Sequence, residues 1–309
     1  MHIYILKRFL MLIPVLLGVT FIMFLLMELT PGDPAVTRMG EAADPVALEA
    51  LREEMGLNDP FLIRFGSYIL GVVQLDFGES WYPPHRPVFD EIFARFPNTM
   101  RLAGMGVVLA LMLGIPLGIL SAVKQYSIFD AGATFIGLLG VSIPNFWLGM
   151  LLIMFFTVNL GWLPPTGFTD PIQWIMPTIA ISTGSAAIIM RMTRSSMLEC
   201  IRQDYVRTAR AKGQIERKVI FRHALKNALI PVTTTAGLAF GFLLGGAILT
   251  ETIFAIPGLG AFMVNSFFQR DWPLALGGVL LIAVSFSFVN LVVDILYAFI
   301  DPRIRSQYR

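Results

Sequence analysis

The sequence predicts an all-α, polytopic membrane protein with six transmembrane helices. Three observations carry that expectation. Of 309 residues, 56% are hydrophobic and 14% charged, with a mean hydropathy of +0.71; soluble domains carry about 25% charged residues. Apolar runs recur at residues 9–29, 102–123, 131–160, 175–190, 229–249 and 276–299, and a bilayer core takes about 20 helical residues to cross. Residues 204–231 read DYVRTARAKGQIERKVIFRHALKNALIP, a basic, helix-compatible stretch held between two of those runs. A segment of that polarity, fixed at both ends to membrane helices, is suited to present a surface to something in the cytosol.

The first run follows Lys7 and Arg8 and resembles a signal peptide. It is long, however, and Thr30, Pro31 and Gly32 follow it in place of a small-residue cleavage site, so it is read as an uncleaved span. Residues 1–30 then form the first span with its N-terminus, and 31–98 an extracytoplasmic loop with short helices. Residues 99–298 form the transmembrane domain, with a cytosolic loop at 191–228, and 299–309 a cytosolic tail. Within the first loop, Asp44 and Pro45 supply an N-cap and a first-turn proline before the apolar Val46, Leu48, Leu51 and Met55, which predicts a short surface helix ending at Gly56. Residues 61–73 repeat the pattern, and Trp81, Tyr82, Pro83 and Pro84 mark an irregular turn. This loop is either a packed cap or a docking surface. The third run contains Pro144, which predicts a kinked helix or a re-entrant end. The fourth is short and reaches toward Arg191.

Orientation follows from Lys and Arg placement. Ten basic residues lie between Arg191 and Lys226, and Lys7, Arg8, Lys124, Arg303, Arg305 and Arg309 fall on the same side. The opposite side has none at residues 161–174 and only Arg270 at 251–275, while 31–99 holds five basic against eleven acidic residues. Both termini are therefore expected in the cytosol. The net charge of +2 adds little. Cys200 has no disulfide partner, and His2, His85 and His223 are too far apart for a metal motif. No metal, cofactor or nucleic acid is expected to bind this chain.

Polar and small residues at membrane depth need a reason. Gly237, Gly241 and Gly245 fall on one helical stripe, which permits close backbone approach. The stripe serves either packing within the bundle or a face toward a second subunit or central pathway. Glu28, Glu251 and Arg101 sit near span ends, where anchoring at the interface is the plain expectation; Glu251, Asn290 and Asp294 are also candidate pathway or gate residues. Asn290 and Asp294 share a face of the last span. Asn290 is placed to hydrogen-bond a neighbouring helix, and Asp294 to pair with a cation of the basic loop.

No phosphate-binding loop, HExxH or GxSxG occurs, so an enzymatic role is not expected. Arg207, Thr208 and Ala209, with Gly213 four residues on, resemble the EAA motif of the membrane subunits of bacterial ABC importers. The peptide-importer branch is matched more closely: DYVRTARAKG at 204–213, HALKNALIP at 223–231, AILTETIF at 247–254, PGLG at 257–260, DPRIR at 301–305, PGDP at 31–34 and LDFG at 75–78. Two departures stand out, Arg207 in place of the motif glutamate and Lys226 in place of its proline. The chain resembles the B-type permease subunit of dipeptide or oligopeptide importers.

The resemblance implies a type I ABC importer fold in the bacterial inner membrane. It implies a homologous second permease subunit, two cytosolic ATPase subunits that bind ATP and Mg, an extracytoplasmic solute-binding protein, and lipid as surroundings. Asp204, Arg207, Thr208, Ala209, Ala211 and Gly213 would form a coupling helix against the ATPase. Ala209 and Ala211 would allow close docking, the cations would meet acidic groups, and Gly213 would permit a turn. The alternatives are import of nickel complexes, glutathione or another small solute by the same mechanism, a nucleotide-independent secondary transporter, or a membrane anchor or receptor.

Overall fold

The computed structural model describes residues 2–40 and 42–300, the side chains of 2–9, 294 and 296–300 excepted. The C-terminal DPRIR motif and the tail cations lie outside the described residues. Among those described, every element is helical apart from one antiparallel bridge between Glu79 and Pro87. Five unbroken helices are long and apolar enough to cross a membrane, and the bent pair 128–159 makes a sixth where its two halves count as one span.

The chain divides into two compact units. One holds residues 100–256 and 286–300; the other holds residues 2–99 and 257–285. Helices α5 (Val88–Val123) and α13 (Trp272–Ile300) each contribute to both.

In the first unit, Ser127 caps α6 (Ile128–Ser142), accepting from the Asp130 amide at 3.3 Å. Ile143 is extended and Pro144 lacks an amide, so the helix stops. It restarts as α7 (Asn145–Leu152), which widens into a π-helical stretch, Ile153–Asn159. The two halves meet at 100°, which resolves the expected kink at Pro144 as a sharp bend. A 3₁₀ turn, Pro171–Trp174, then opens α8 (Ile175–Ile201). Helix α8 packs against α6, α7 and α11 (Leu225–Ile253). Leu102, Trp174, Met176, Ile181, Leu244 and Phe254 form the buried core there.

The basic segment is far more helical than a loop. Helix α8 does not end near Arg191 but continues to Ile201. After Gln203 comes α9 (Asp204–Ala211), then a short α10 (Glu216–Lys218). A π-helical stretch, Val219–Ala224, leads directly into α11.

The second unit starts with α1 (His2–Leu29). Asp33 accepts from the Ala35 amide at 2.8 Å and caps α2 (Pro34–Met39); Asp44 caps α3 (Pro45–Glu54) in the same way at 3.4 Å. Helix α4 (Phe61–Val73) follows. Both expected helices of the first loop are present at their expected places. Two features were not foreseen: α5 starts at Val88, well before its apolar run, and residues 251–275 hold α12 (Leu259–Gln269). Phe24, Met27, Trp272 and Leu276 form one buried cluster of this unit, and Val88, Ile92, Leu259 and Leu274 another.

Candidate functional site

Helix α9 has a buried and an exposed side, and the division corrects one expectation. Val206 is fully buried and Ala209 is 6% exposed. Both belong to one buried cluster with Ile119, Ala122, Met197, Val219, Ile220, Ala224 and Ala228 of the same chain. Ala209 therefore seats the helix on its own bundle and does not offer a docking surface, because positions 206 and 209 share one helical face. The face left open carries Asp204, Arg207, Thr208 and Ala211, with Lys212 just beyond. Arg207 reaches Asp204 only at 3.8 Å, with its side chain 74% exposed, so its charge stays available. The Thr208 hydroxyl donates to the Asp204 carbonyl at 2.9 Å, tying down the first turn.

Gly213 ends the segment at φ 72°, with open space where a side chain would stand. Backbone conformation, not crowding, calls for glycine there. Across that turn Arg210 donates to Glu216 at 2.7 Å, and His223 lies 3.0 Å from Gln214. The Arg210 guanidinium holds the Glu216 carboxyl below its ordinary range.

Beside this element stands a polar cluster that the sequence did not single out. Arg194 on α8 donates to both oxygens of Asp130 on α6, at 2.7 and 2.8 Å. The Ser121 hydroxyl of α5 donates to the same carboxylate at 2.5 Å, and the Tyr126 amide at 2.9 Å. Asp130 and Ser121 are buried, at 4% and 0% exposure. A bidentate, charge-assisted contact of this kind fixes geometry as well as energy. It fastens α5, α6 and α8 together, and α8 runs on into α9. The sequence separation of 64 hides the pair from any local pattern.

The glycine stripe of α11 splits. A side chain at Gly237 would collide with Val293, and one at Gly241 would come within 2.9 Å of Phe286, so these two serve close packing on α13. Gly245 meets nothing within 4 Å. It lies instead on an exposed strip with Leu238, Phe242, Gly246 and Leu249.

The remaining polar positions also separate. Glu28 pairs with Arg64 at 3.1 Å, and Arg101 lies over the Trp174 ring at 4.5 Å, as span-end anchors do. Glu251 does not anchor at an interface: it is fully buried, because α11 carries it into the core beside Leu244, Ala247 and Phe254. Asn290 is half-buried, and its side-chain oxygen is sealed from solvent with no hydrogen-bond partner among the described residues. The side chain of Asp294 lies outside the described residues.

Residues 114–306 match the family described as "Binding-protein-dependent transport system inner membrane component", and residues 1–103 match its N-terminal counterpart. The chain is 43% identical over 330 residues to the dipeptide transport system permease protein of Alkalihalophilus pseudofirmus, covering 98% of this chain and 99% of that one. It is 44% identical over 311 residues to the oligopeptide transport system permease protein of Bacillus subtilis, covering 97% and 98%. The glutathione transport system permease protein of Escherichia coli is 44% identical over 302 residues, covering 98% of each chain. Among solved structures, inward-facing conformations of the methionine ABC transporter MetNI match with a TM-score of 0.57 at 18% identity, over 68% of this chain and 96% of that one. An amino acid ABC transporter matches at a TM-score of 0.51 and 14% identity, over 69% and 94%. These likenesses show the fold, that of ABC importer permeases.

Proposed function

The chain belongs to the family of binding-protein-dependent transport system inner membrane components, and we propose that it forms half of the pathway by which an ATP-driven importer moves di- or oligopeptides across the bacterial inner membrane. It is a multi-pass permease subunit that works with other ABC components. In the finer reading, a homologous second permease completes the pathway, two cytosolic ATPase subunits bind and hydrolyse ATP with Mg, and an extracytoplasmic binding protein delivers the peptide. Both termini are cytosolic in this arrangement.

The observation that carries the reading is α9. It is a short helix seated by Val206 and Ala209 and left open on its cationic side. Arg207 and Lys212 would meet acidic groups of an ATPase, where complementary charge sets orientation. Closure of the ATPases on ATP would move α9. Helix α8, continuous up to Ile201 and fastened through Arg194, would carry that movement into the bundle. Glu251, Asn290 and the strip around Gly245 are the residues to examine for gating and pathway roles.

Glutathione is itself a small peptide, and the 44% identity to its permease favours substrates of that size as the second reading. Reconstituted with its partners and a binding protein, the complex is expected to take up labelled di- and oligopeptides only with hydrolysable ATP. Uptake at the same rate without nucleotide would point to a secondary transporter and reject the proposal. Uptake of glutathione alone would select the second reading.

A further inference from the structure

Residues 74–79 fold back on the last turn of helix α4, beside the last turns of α1. Arg64, Ser67, Tyr68 and Gly71 recur on α4 at three- and four-residue spacing and so share one face. Gly71 lets the chain return against that face: a side chain there would meet the Asp76 carbonyl at 2.7 Å. Leu75 turns the chain at φ 62°, and the Asp76 amide donates to the Gly71 carbonyl at 2.9 Å. The return leaves a crevice of about 350 Å³, within the range of about 300–1,000 Å³ that small-molecule pockets occupy.

Its walls are aromatic. Phe24 of α1 and Tyr68 stand 5.3 Å apart, ring to ring, and Phe77, Trp81 and Trp272 line it with them. Phe24 and Trp272 are buried, and the Trp81 amide donates to the Asp271 carboxylate at 3.2 Å, so the wall is held in place. The Tyr68 hydroxyl oxygen is sealed from solvent and has no hydrogen-bond partner among the described residues. It leaves a polar handle in an otherwise ring-lined space.

Acids surround this wall. Asp59, Asp76 and Glu79 line the crevice, are exposed and make no ion pair among the described residues. One oxygen of Asp76 accepts from the Gly78 amide at 2.9 Å. The one cation of the lining, Arg64, is already engaged by Glu28 at 3.1 Å. The crevice therefore carries unbalanced negative charge next to the electron-rich faces of aromatic rings, and both attract an organic cation. A bare metal ion is a poor match, because among the described residues no three acid, histidine or cysteine side chains are close enough to hold one. A ligand with its own carboxylate would meet no free cation. An ammonium or guanidinium on an aliphatic chain suits the crevice, with the chain along the rings and the charge among the acids.

We propose that this crevice receives a lysine or arginine side chain of the extracytoplasmic binding protein. The assignment rests on the reading above, in which residues 31–99 lie outside and a binding protein delivers the peptide. The full chain, carrying 5-fluorotryptophan and held in phosphatidylcholine nanodiscs, is titrated with Nα-acetyl-lysine amide. The fluorine signal of Trp81, identified by its loss in Trp81→Phe, is expected to shift saturably, and that of Trp162, exposed and outside the crevice, to stay. Nα-acetyl-norleucine amide, the same aliphatic chain without the ammonium, is expected to move neither. Asp76→Asn with Glu79→Gln is expected to weaken binding of the lysine amide at least fivefold. An equal response to the norleucine compound, or no saturable shift, would overturn the site. An equal response to dialanine would make it a place for substrate and overturn the side-chain assignment. In the reconstituted importer, the same double variant is expected to raise at least fivefold the concentration of binding protein that half-saturates ATP hydrolysis, with the rate at saturation unchanged. An unchanged half-saturation would reject this proposal and leave the transport reading standing, since that reading falls only if uptake needs no nucleotide.

Discussion

The two polar regions of the chain, residues 31–99 and 191–226, treat their cations in opposite ways. In the first, Arg52 meets Asp33 and Glu49, Arg64 meets Glu28, Arg86 and Arg95 share Glu91, and Arg38 reaches His85. In the second, Arg194 and Arg210 are paired, but Lys212, Arg217, Lys218, Arg222 and Lys226 are exposed and make no ion pair among the described residues. The first region engages its cations internally and leaves no free positive charge among the described residues. The second region leaves most of its cations exposed and available to a partner.

The largest expected effect comes from reversing the open charges. Arg207→Glu with Lys212→Glu is expected to lower peptide uptake by the reconstituted complex at least tenfold and to abolish co-purification of the ATPase subunits. Arg52→Glu, in the closed region, is expected to leave that co-purification unchanged; loss in both variants would erase the distinction. Next comes Asp130→Asn, which leaves Arg194 half-buried with a weakened partner. A cost of about 2–4 kcal/mol is expected, read as a lower unfolding temperature in detergent, with Arg194→Lys less severe.

Ala209→Trp separates seating from docking. It overfills the cluster beneath α9 and is expected to cost about 1–3 kcal/mol, seen as a lower yield of folded protein. A normal unfolding temperature with lost ATPase binding would instead return Ala209 to the docking face. The smallest effect is a pH dependence in the closed region. Burial pushes the Asp271 carboxyl above its ordinary range, against the Ser80 hydroxyl and the Trp81 and Leu274 amides, which favour the charged form. The folded state then favours the protonated acid. That contribution is fully present below the ordinary carboxylate range and is lost as pH rises through the raised value. Thermal unfolding is expected to show stability falling as pH rises out of the ordinary carboxylate range, and a flatter profile for Asp271→Asn.

Spans were legible because lipid imposes a length and a composition on each. The break at Pro144 followed from a missing amide, and α3 from Asp44 and Pro45, both causes confined to a few residues. Helix α9 was legible from DYVRTARAKG, but its orientation was not. The same alanine reads as small enough to dock and small enough to bury, and only the neighbours Ile119 and Met197 decide which. The Asp130 to Arg194 contact joins helices far apart in the chain, and the burial of Glu251 depends on how α11 is rotated in the bundle. Of the glycine stripe, periodicity revealed the common face, while the structure assigned Gly237 and Gly241 to α13 and left Gly245 open.

The widened turns at Val219–Ala224 have one further implication. A π-type turn holds one residue more than an α-helix needs for the same advance. Rewinding that stretch as α-helix would step all of α11 forward by one residue, a rotation of about 100° with a rise of about 1.5 Å. The strip of Leu238, Phe242 and Leu249 would swing by more than a quarter of a circle while the helix stayed intact. The spare residue lies between α10 and the membrane part of α11.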